Sequence, residues 1–208
     1  MSSGNTITRE RYARGEGDRL RVDLLDAAAE LMAEHGSVEG ISLRAVARRA
    51  GVSPTAVYRH FDDHVDLLAD SVTHCWTNFR DALATSFESR DDPFTTFREM
   101  GRAYVDFALE RPGQYRVMFS NRVSPGDDRD SVGASAFEML VDVVRQMLDA
   151  RHDDRDPRFV AAQVHTWIHG IVDLIGCHPE NDWPDVEQLL VGLDEALALT
   201  PLGAATPS

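Results

Sequence analysis

Apolar residues recur every three or four positions along most of this 208-residue chain, and no stretch replaces them with the two-residue alternation of a strand. The first stripe, Leu20, Leu24, Leu25, Ala28, Leu31 and Met32, predicts a helix over about 19–35, ended by Gly36. Two short helical patterns follow. In one, Leu43, Val46, Ala47 and Ala50 share a face, and Gly51 can take the positive φ that ends a helix. In the other, Ser53 suits an N-cap, Pro54 suits the first helical position, and Val57 and Phe61 are the buried anchors. Thr55, Ala56, Tyr58, Arg59 and His60 are left facing outward. A fourth helix is expected over about 64–89, with Val65, Leu67, Leu68, Val72, Cys75, Trp76, Phe79, Leu83 and Phe87 on a wide apolar face.

Asp92-Pro93 opens a fifth helix to about 110, in which Phe94, Phe97, Met100, Tyr104, Phe107 and Ala108 keep helical spacing. Arg111-Pro112-Gly113 breaks it, and a short helix over 114–119 follows. Residues 121–131 are rich in Ser, Pro, Gly, Asp and Arg and read as a connection. Three more helices are expected over about 132–151, 157–177 and 185–199, the last with Val186, Leu189, Leu190, Leu193 and Leu197 in a stripe. The fold class is all-α with about nine helices. It divides into an arm (1–18), a three-helix N-terminal domain (19–67), a C-terminal helical bundle (68–200) and a tail (201–208).

Helix, short Gly-containing turn, and second helix with polar and aromatic tips form the pattern of a helix-turn-helix DNA reader. Net charge is −14, which looks wrong for such a reader. Its distribution changes the picture. Residues 1–60 carry 9 Arg and 8 acidic residues, while the rest carries 12 Arg and 27 acidic residues. Residues 36–60 hold 4 Arg against the single Glu39, so the reader is locally basic and the remainder repels phosphate. The chain has no lysine, and every fixed cation is a guanidinium suited to bidentate contact with phosphate or guanine. The arm adds Arg9, Arg11 and Arg14, which can lie along phosphates or in a minor groove. Cys75 and Cys177 are the only cysteines and read as reduced and buried rather than paired. With a polar start and no apolar run long enough for a bilayer, the expected setting is cytoplasmic, with no membrane partner.

The stretch Ile41-Ser42-Leu43-Arg44-Ala45-Val46-Ala47, then Ala50-Gly51-Val52-Ser53, then Val57-Tyr58-Arg59-His60-Phe61, resembles the TetR family of transcriptional regulators. The resemblance is strong over roughly 20–70. It implies a homodimer on a palindromic double-stranded DNA operator, acting as a repressor released by a small-molecule effector. It places Arg44, Pro54, Thr55 and Arg59 in the major groove and Ser42, Ser53, Tyr58 and His60 on phosphates. The family usually carries a phosphate-binding lysine at the start of the fourth helix. His64 stands there instead, which either removes that contact or makes it sensitive to pH.

Glu110 to Phe119 (ERPGQYRVMF) and Thr166 to Leu174 (TWIHGIVDL) look like the C-terminal TetR subclass named for its Trp, His and Gly. That resemblance implies a ligand-sensing, dimerising domain, with the eighth and ninth helices as the dimer interface. Gly170 permits close approach of a neighbouring helix. Trp76, Phe79, Tyr104, Phe107, Tyr115, Met118, Phe119 and Trp167 sit on helices that would surround the regulatory core, with His169; most read as core packing, and an unassigned subset would line the effector cavity. The alternative is a metal-dependent sensor or enzyme using His165, His169 and Asp173, which lie at i, i+4 and i+8 on one helix face. No nucleophile elbow, phosphate-cradling Gly loop or HExxH motif is present, so an enzyme is not expected and no cofactor is implied. The effector, the operator sequence and the regulated genes are not readable from the chain.

Overall fold

A computed structural model describes residues 17–35, 40–85, 92–119 and 130–199, with only the backbone described at 130 and 131. Among the described residues there are nine helices and no strand. They are α1 (Gly17–His35), α2 (Leu43–Arg49), α3 (Pro54–Val57), α4 (His64–Ala84), α5 (Pro93–Glu110), α6 (Pro112–Phe119), α7 (Asp130–Ala150), α8 (Pro157–Cys177) and α9 (Val186–Ala196). The expected roles of Gly36 and Phe87, the tail, and all of the expected arm and connection except their last two residues, which instead begin α1 and α7, lie outside the described residues.

Local chemistry sets most of the boundaries. Ser42 caps α2 by accepting from the Ala45 N–H at 3.2 Å, and Gly51 takes φ 71° after it. Asp63 caps α4 through the Asp66 N–H at 2.9 Å. Asp92 accepts from the N–H groups of Phe94 and Thr95, and Pro93 takes the first position of α5. Asp156 and Asp185 do the same for α8 and α9, each with one backbone N–H.

Four expectations change. The second short helix is a single turn, because the Arg59 and His60 N–H groups bond three residues back, to Ala56 and Val57. Those tighter turns carry Phe61 into the core, where it is 1% exposed. Ser53 precedes α3 but makes no side-chain cap; Pro54 alone marks the start. Val65 points to solvent, off the apolar face of α4. α6 begins at Pro112 rather than Gln114, because proline suits the first position and only α5 stops there.

Two apolar clusters result. The head packs α1, α2, α3 and the start of α4 around Leu24, Met32, Ile41, Val46, Val57, Phe61 and Leu67, all fully buried. Arg21 fastens it from outside. Its guanidinium lies 4.6 Å over the Phe61 ring, donates to the His60 carbonyl and pairs with Asp70. The second cluster joins α4, α5, α7, α8 and α9. Trp76 on α4 packs against both clusters. The seam between them is tight at α6. A Cβ on Gly113 would lie 2.0 Å from Ala33 Cα on α1, so the two backbones meet where only glycine fits.

Candidate nucleic-acid interface and effector cavity

α2, the turn at Gly51 and α3 hold a row of exposed polar groups over the buried anchors Val57 and Phe61. Ser42, Arg44, Ser53, Pro54, Thr55, Tyr58 and Arg59 are exposed, Tyr58 by 59%. Ser42 also spends its hydroxyl on the α2 cap. Arg44, Arg48 and Arg59 make no ion pair among the described residues. Arg48 is an exposed cation that motif reasoning left out; its i+4 spacing from Arg44 was the available signal. Arg49 is turned away, bonded to Glu30 at 3.1 Å and Glu34 at 2.5 Å on α1. His60 is half-buried, with its backbone carbonyl committed to Arg21.

His64 is not the free side chain expected of a phosphate contact. It is half-buried, and its Nε2 donates to the Ile41 carbonyl just before α2. That bond ties the start of α4 to the reader and leaves only Nδ1 for anything outside.

The bundle encloses an inner cavity of about 160 Å³ between α4, α5, α6, α7 and α8. Trp76, Phe79, Tyr104 and Phe119, four of the candidate ligand residues, wall it. Ring pairs stand edge to face: Trp76–Phe119 at 5.0 Å and Phe79–Tyr104 at 5.0 Å. Gly133 on α7 faces the Trp76 indole, and a Cβ there would sit 3.4 Å from it, at van der Waals distance. Met100, Phe137, Leu140, His165 and Ile168 also line the cavity and were absent from the sequence-derived ligand set.

An outer cavity of about 470 Å³ lies beyond Phe119, which lines both. Tyr115, Arg116, His169, Asp173 and Cys177 face it, and Cys177, at the C-terminal end of α8, is exposed there where a buried thiol was expected, while Cys75 is buried. Between the two, the Tyr104 hydroxyl lies 2.8 Å from that of Tyr115, and the Tyr115 hydroxyl bonds His169 Nδ1. All three are satisfied if Tyr104 donates to Tyr115 and Tyr115 donates to the imidazole. Burial pushes both phenols well above their ordinary range, so both keep their protons to donate.

Three expected ligand residues sit elsewhere. Trp167 is 42% exposed on the outside of α8, because two residues from either His165 or His169 is the opposite face of a helix. Phe107 and Met118 are buried in the core behind the cavity walls. The metal alternative finds no geometry here. Among the described residues, no three His, Cys, Asp or Glu side chains are grouped to hold an ion, and His169 Nδ1 is taken by Tyr115.

The stripe of α9 also divides. Leu190 and Leu193 are buried within the chain, with Leu190 against Gly101 of α5. A charge at Leu190 would therefore damage the bundle itself, not an interface. Phe159, Trp167 and Leu174 on α8 and Val191 on α9 are the exposed large apolar groups. A Cβ on Gly170 would meet nothing within 4 Å among the described residues, so its close approach is not to one of the described helices.

Comparison with known proteins settles the lineage. Residues 24–70 match the family described as bacterial regulatory proteins, tetR family, and residues 97–187 match the tetracyclin repressor-like C-terminal domain. The chain belongs to the TetR family of DNA-binding transcription regulators. It is 34% identical over 94 residues to YobS, an uncharacterized HTH-type transcriptional regulator of Bacillus subtilis, covering 45% of this chain and 48% of that one. An uncharacterized HTH-type regulator of Haemophilus influenzae is 23% identical over 135 residues, covering 65% and 66%. The match thus spans about half of the first relative's length. A protein of unknown function from Rhodococcus sp. RHA1 superposes with a TM-score of 0.74 at 26% identity, covering 92% and 96%. The fatty acid degradation regulator FadR of Bacillus halodurans shares the TetR-like fold at a TM-score of 0.70 and 15% identity, covering 90% and 96%. Among the described residues no helix is long and apolar enough to cross a membrane.

Proposed function

We propose that the chain acts as a homodimeric repressor on a palindromic operator and is released when a small molecule occupies the bundle. The observation that carries the reading is the exposed row Arg44, Pro54, Thr55, Tyr58 and Arg59, held over Val57 and Phe61, with guanidiniums unpaired among the described residues. An arginine with no partner inside its own chain is available for guanine and phosphate. Arg44 and Arg59 are assigned to bases, and Tyr58, Ser53 and His60 to phosphates. The exposed apolar groups of α8 and α9 supply the dimer face, and the open space at Gly170 lets a partner helix approach. The C-terminal bundle fits the Trp-His-Gly subclass in its sequence pieces, with His169 in the wall of the outer cavity.

Release follows if the ligand prefers a conformation whose two heads are wrongly spaced for successive major grooves. A ~10²-fold difference in affinity corresponds to ~3 kcal/mol of coupling. The α1–α6 seam at Gly113 is a contiguous path from cavity to head.

The test is operator binding to DNA upstream of the chain's own gene. Arg44→Ala should lose ~1–3 kcal/mol and relax one base position, whereas Tyr58→Phe should weaken all sequences about equally. Trp167→Glu with Leu174→Glu should yield folded monomers that bind poorly. An unchanged consensus site in Arg44→Ala would remove that base assignment. A wild-type monomer at micromolar concentration in sedimentation would end the dimer reading.

A further inference from the structure

We propose that the inner cavity takes an uncharged single-ring aromatic compound bearing one hydroxyl group, with the ring between Trp76, Phe79 and Phe119 and the hydroxyl on His165. The proposal rests on the effector-binding reading above and names the chemistry of that site.

Size comes first. A cavity of about 160 Å³ is close to the engineered apolar cavities of ~150 Å³ that hold benzene. One ring with a short substituent fits, and a long chain or fused polycycle does not, unless Phe119 swings aside. Shape is next. Trp76, Phe79, Tyr104 and Phe119 meet one another edge to face, and such walls favour a flat ring that continues the pattern.

Charge separates this from an aromatic cage for a cation. Among the described residues, no carboxylate and no guanidinium lines the inner cavity. A bound ammonium would gain the ring faces but lose its water with no counter-ion. The site's own ionisable wall shows the same preference: burial, and then the neighbouring His169, hold His165 below the ordinary imidazole range. A carboxylate ligand finds no cation there either.

The hydroxyl follows from His165. Its ring is half-buried against Tyr104, Phe119, Phe137 and His169, yet its nitrogens have no hydrogen-bond partner among the described residues. Of the other polar groups on the described lining, the Tyr104 hydroxyl is already engaged with Tyr115, and the Trp76 indole N–H can donate but not accept. A neutral imidazole offers one acceptor and one donor nitrogen, and a ligand hydroxyl can use either. A polar wall group left unanswered by an apolar ligand costs binding, which gives the preference for hydroxyl over methyl.

The experiment is calorimetric titration of the full chain, without DNA, against p-cresol, p-xylene, benzoate and benzylamine. p-Cresol should bind about tenfold more tightly than its methyl isostere p-xylene, and the two charged probes at least tenfold more weakly than p-cresol. His165→Phe should bring p-cresol and p-xylene to equal affinity while keeping p-xylene binding and an unchanged melting temperature. Ala136→Phe, which fills the cavity from α7, should abolish binding of both. Benzylamine or benzoate binding as tightly as p-cresol would overturn the charge argument. A p-cresol preference that survives in His165→Phe would overturn the hydroxyl assignment. No heat with any neutral ring would overturn the proposal whole. Since the titration contains no DNA, such a failure leaves operator binding, measured separately by mobility shift, untouched.

Discussion

The head and the bundle fill their interiors with different side chains. The head is aliphatic: Leu24, Met32, Val46 and Val57 are fully enclosed, and Phe61 is the only ring among its described buried residues. The bundle adds rings to its aliphatic core: Phe79, Phe97, Tyr104, Phe107 and Tyr115 are all buried there. Branched aliphatic groups interdigitate to near-crystalline density. Rings are flat and rigid, and edge-to-face pairs leave gaps that a neighbour cannot flow into. The head is correspondingly solid where it must present arginines at fixed spacing, and the bundle is hollow where a ligand must enter. The difference predicts that the two regions respond oppositely to changes in side-chain volume.

The largest expected effect is in the solid region. Phe61→Ala removes the one ring of the head core and the surface under Arg21, at a cost of ~3–5 kcal/mol. That is a large fraction of the ~5–15 kcal/mol a domain commonly has. Phe119→Ala, between two existing cavities, should cost less than half as much, because its neighbours already lack full contact on that side. Urea melts of both variants, followed by far-ultraviolet circular dichroism, decide it. Equal losses would mean that the bundle is packed as tightly as the head.

A second contrast lies in how each region treats a carboxylate out of water. In the head, Asp70 is bonded directly to the Arg21 guanidinium. In the bundle, Asp194 is 8% exposed, and Arg98 stands 3.6 Å away. Burial outweighs Arg98 and raises the Asp194 carboxyl to about 6. The folded state therefore holds a proton that the unfolded state releases near pH 4. The stabilisation is complete below that pH and is lost as pH rises to about 6. At ~1.4 kcal/mol per pH unit, the loss at neutral pH approaches ~3 kcal/mol. Asp194→Asn should thus be more stable than wild type by ~1–3 kcal/mol at pH 7, Arg98 losing some of its pairing, and equal to it below pH 4. A difference that does not vary between pH 4 and 7 would show that Asp194 stays ionised in the fold.

These regions also differed in how far the chain itself revealed them. α5 and α8 begin and end where their Asp-Pro caps and breaks implied, because capping is settled within four residues. Of the expected outward set, Thr55, Tyr58 and Arg59 are exposed for the same reason, since Gly51, Pro54 and the Val57–Phe61 spacing fix a local unit, while Ala56 and His60 are half-buried against the head. The cavity was not readable in this way. Choosing His165 over Trp167 requires knowing which face of α8 meets α5 and α7, and both faces of α8 carry apolar residues. Leu190 and Val191 posed the same problem on α9, where an inner and an outer stripe run side by side. His64 departed for another reason: its partner, the Ile41 carbonyl, is a backbone group 23 residues away that no side-chain motif announces.

The finest form of the comparison uses one substitution in both places. Ala28 on α1 is 0% exposed in the head, and Ala136 on α7 is 5% exposed in the wall of the inner cavity. Alanine to leucine adds three carbons to each. At Ala28 the new atoms meet Leu, Val and Met side chains already at full density, so neighbours leave their rotamers and the change costs ~1–3 kcal/mol. At Ala136 the same atoms enter a cavity of about 160 Å³ and find ring surfaces otherwise without contact. Each methylene buried there is worth ~0.8 kcal/mol before rotamer entropy and any displaced water are subtracted, so the expected change runs from zero to a gain of ~1 kcal/mol. Both variants are helical at this position, and leucine is nearly as good a helix former as alanine, so propensity does not favour either site. Thermal melts of the two variants therefore report packing alone. If Ala136→Leu destabilises as much as Ala28→Leu, the inner cavity is closed in solution, and a ligand there would have to open it.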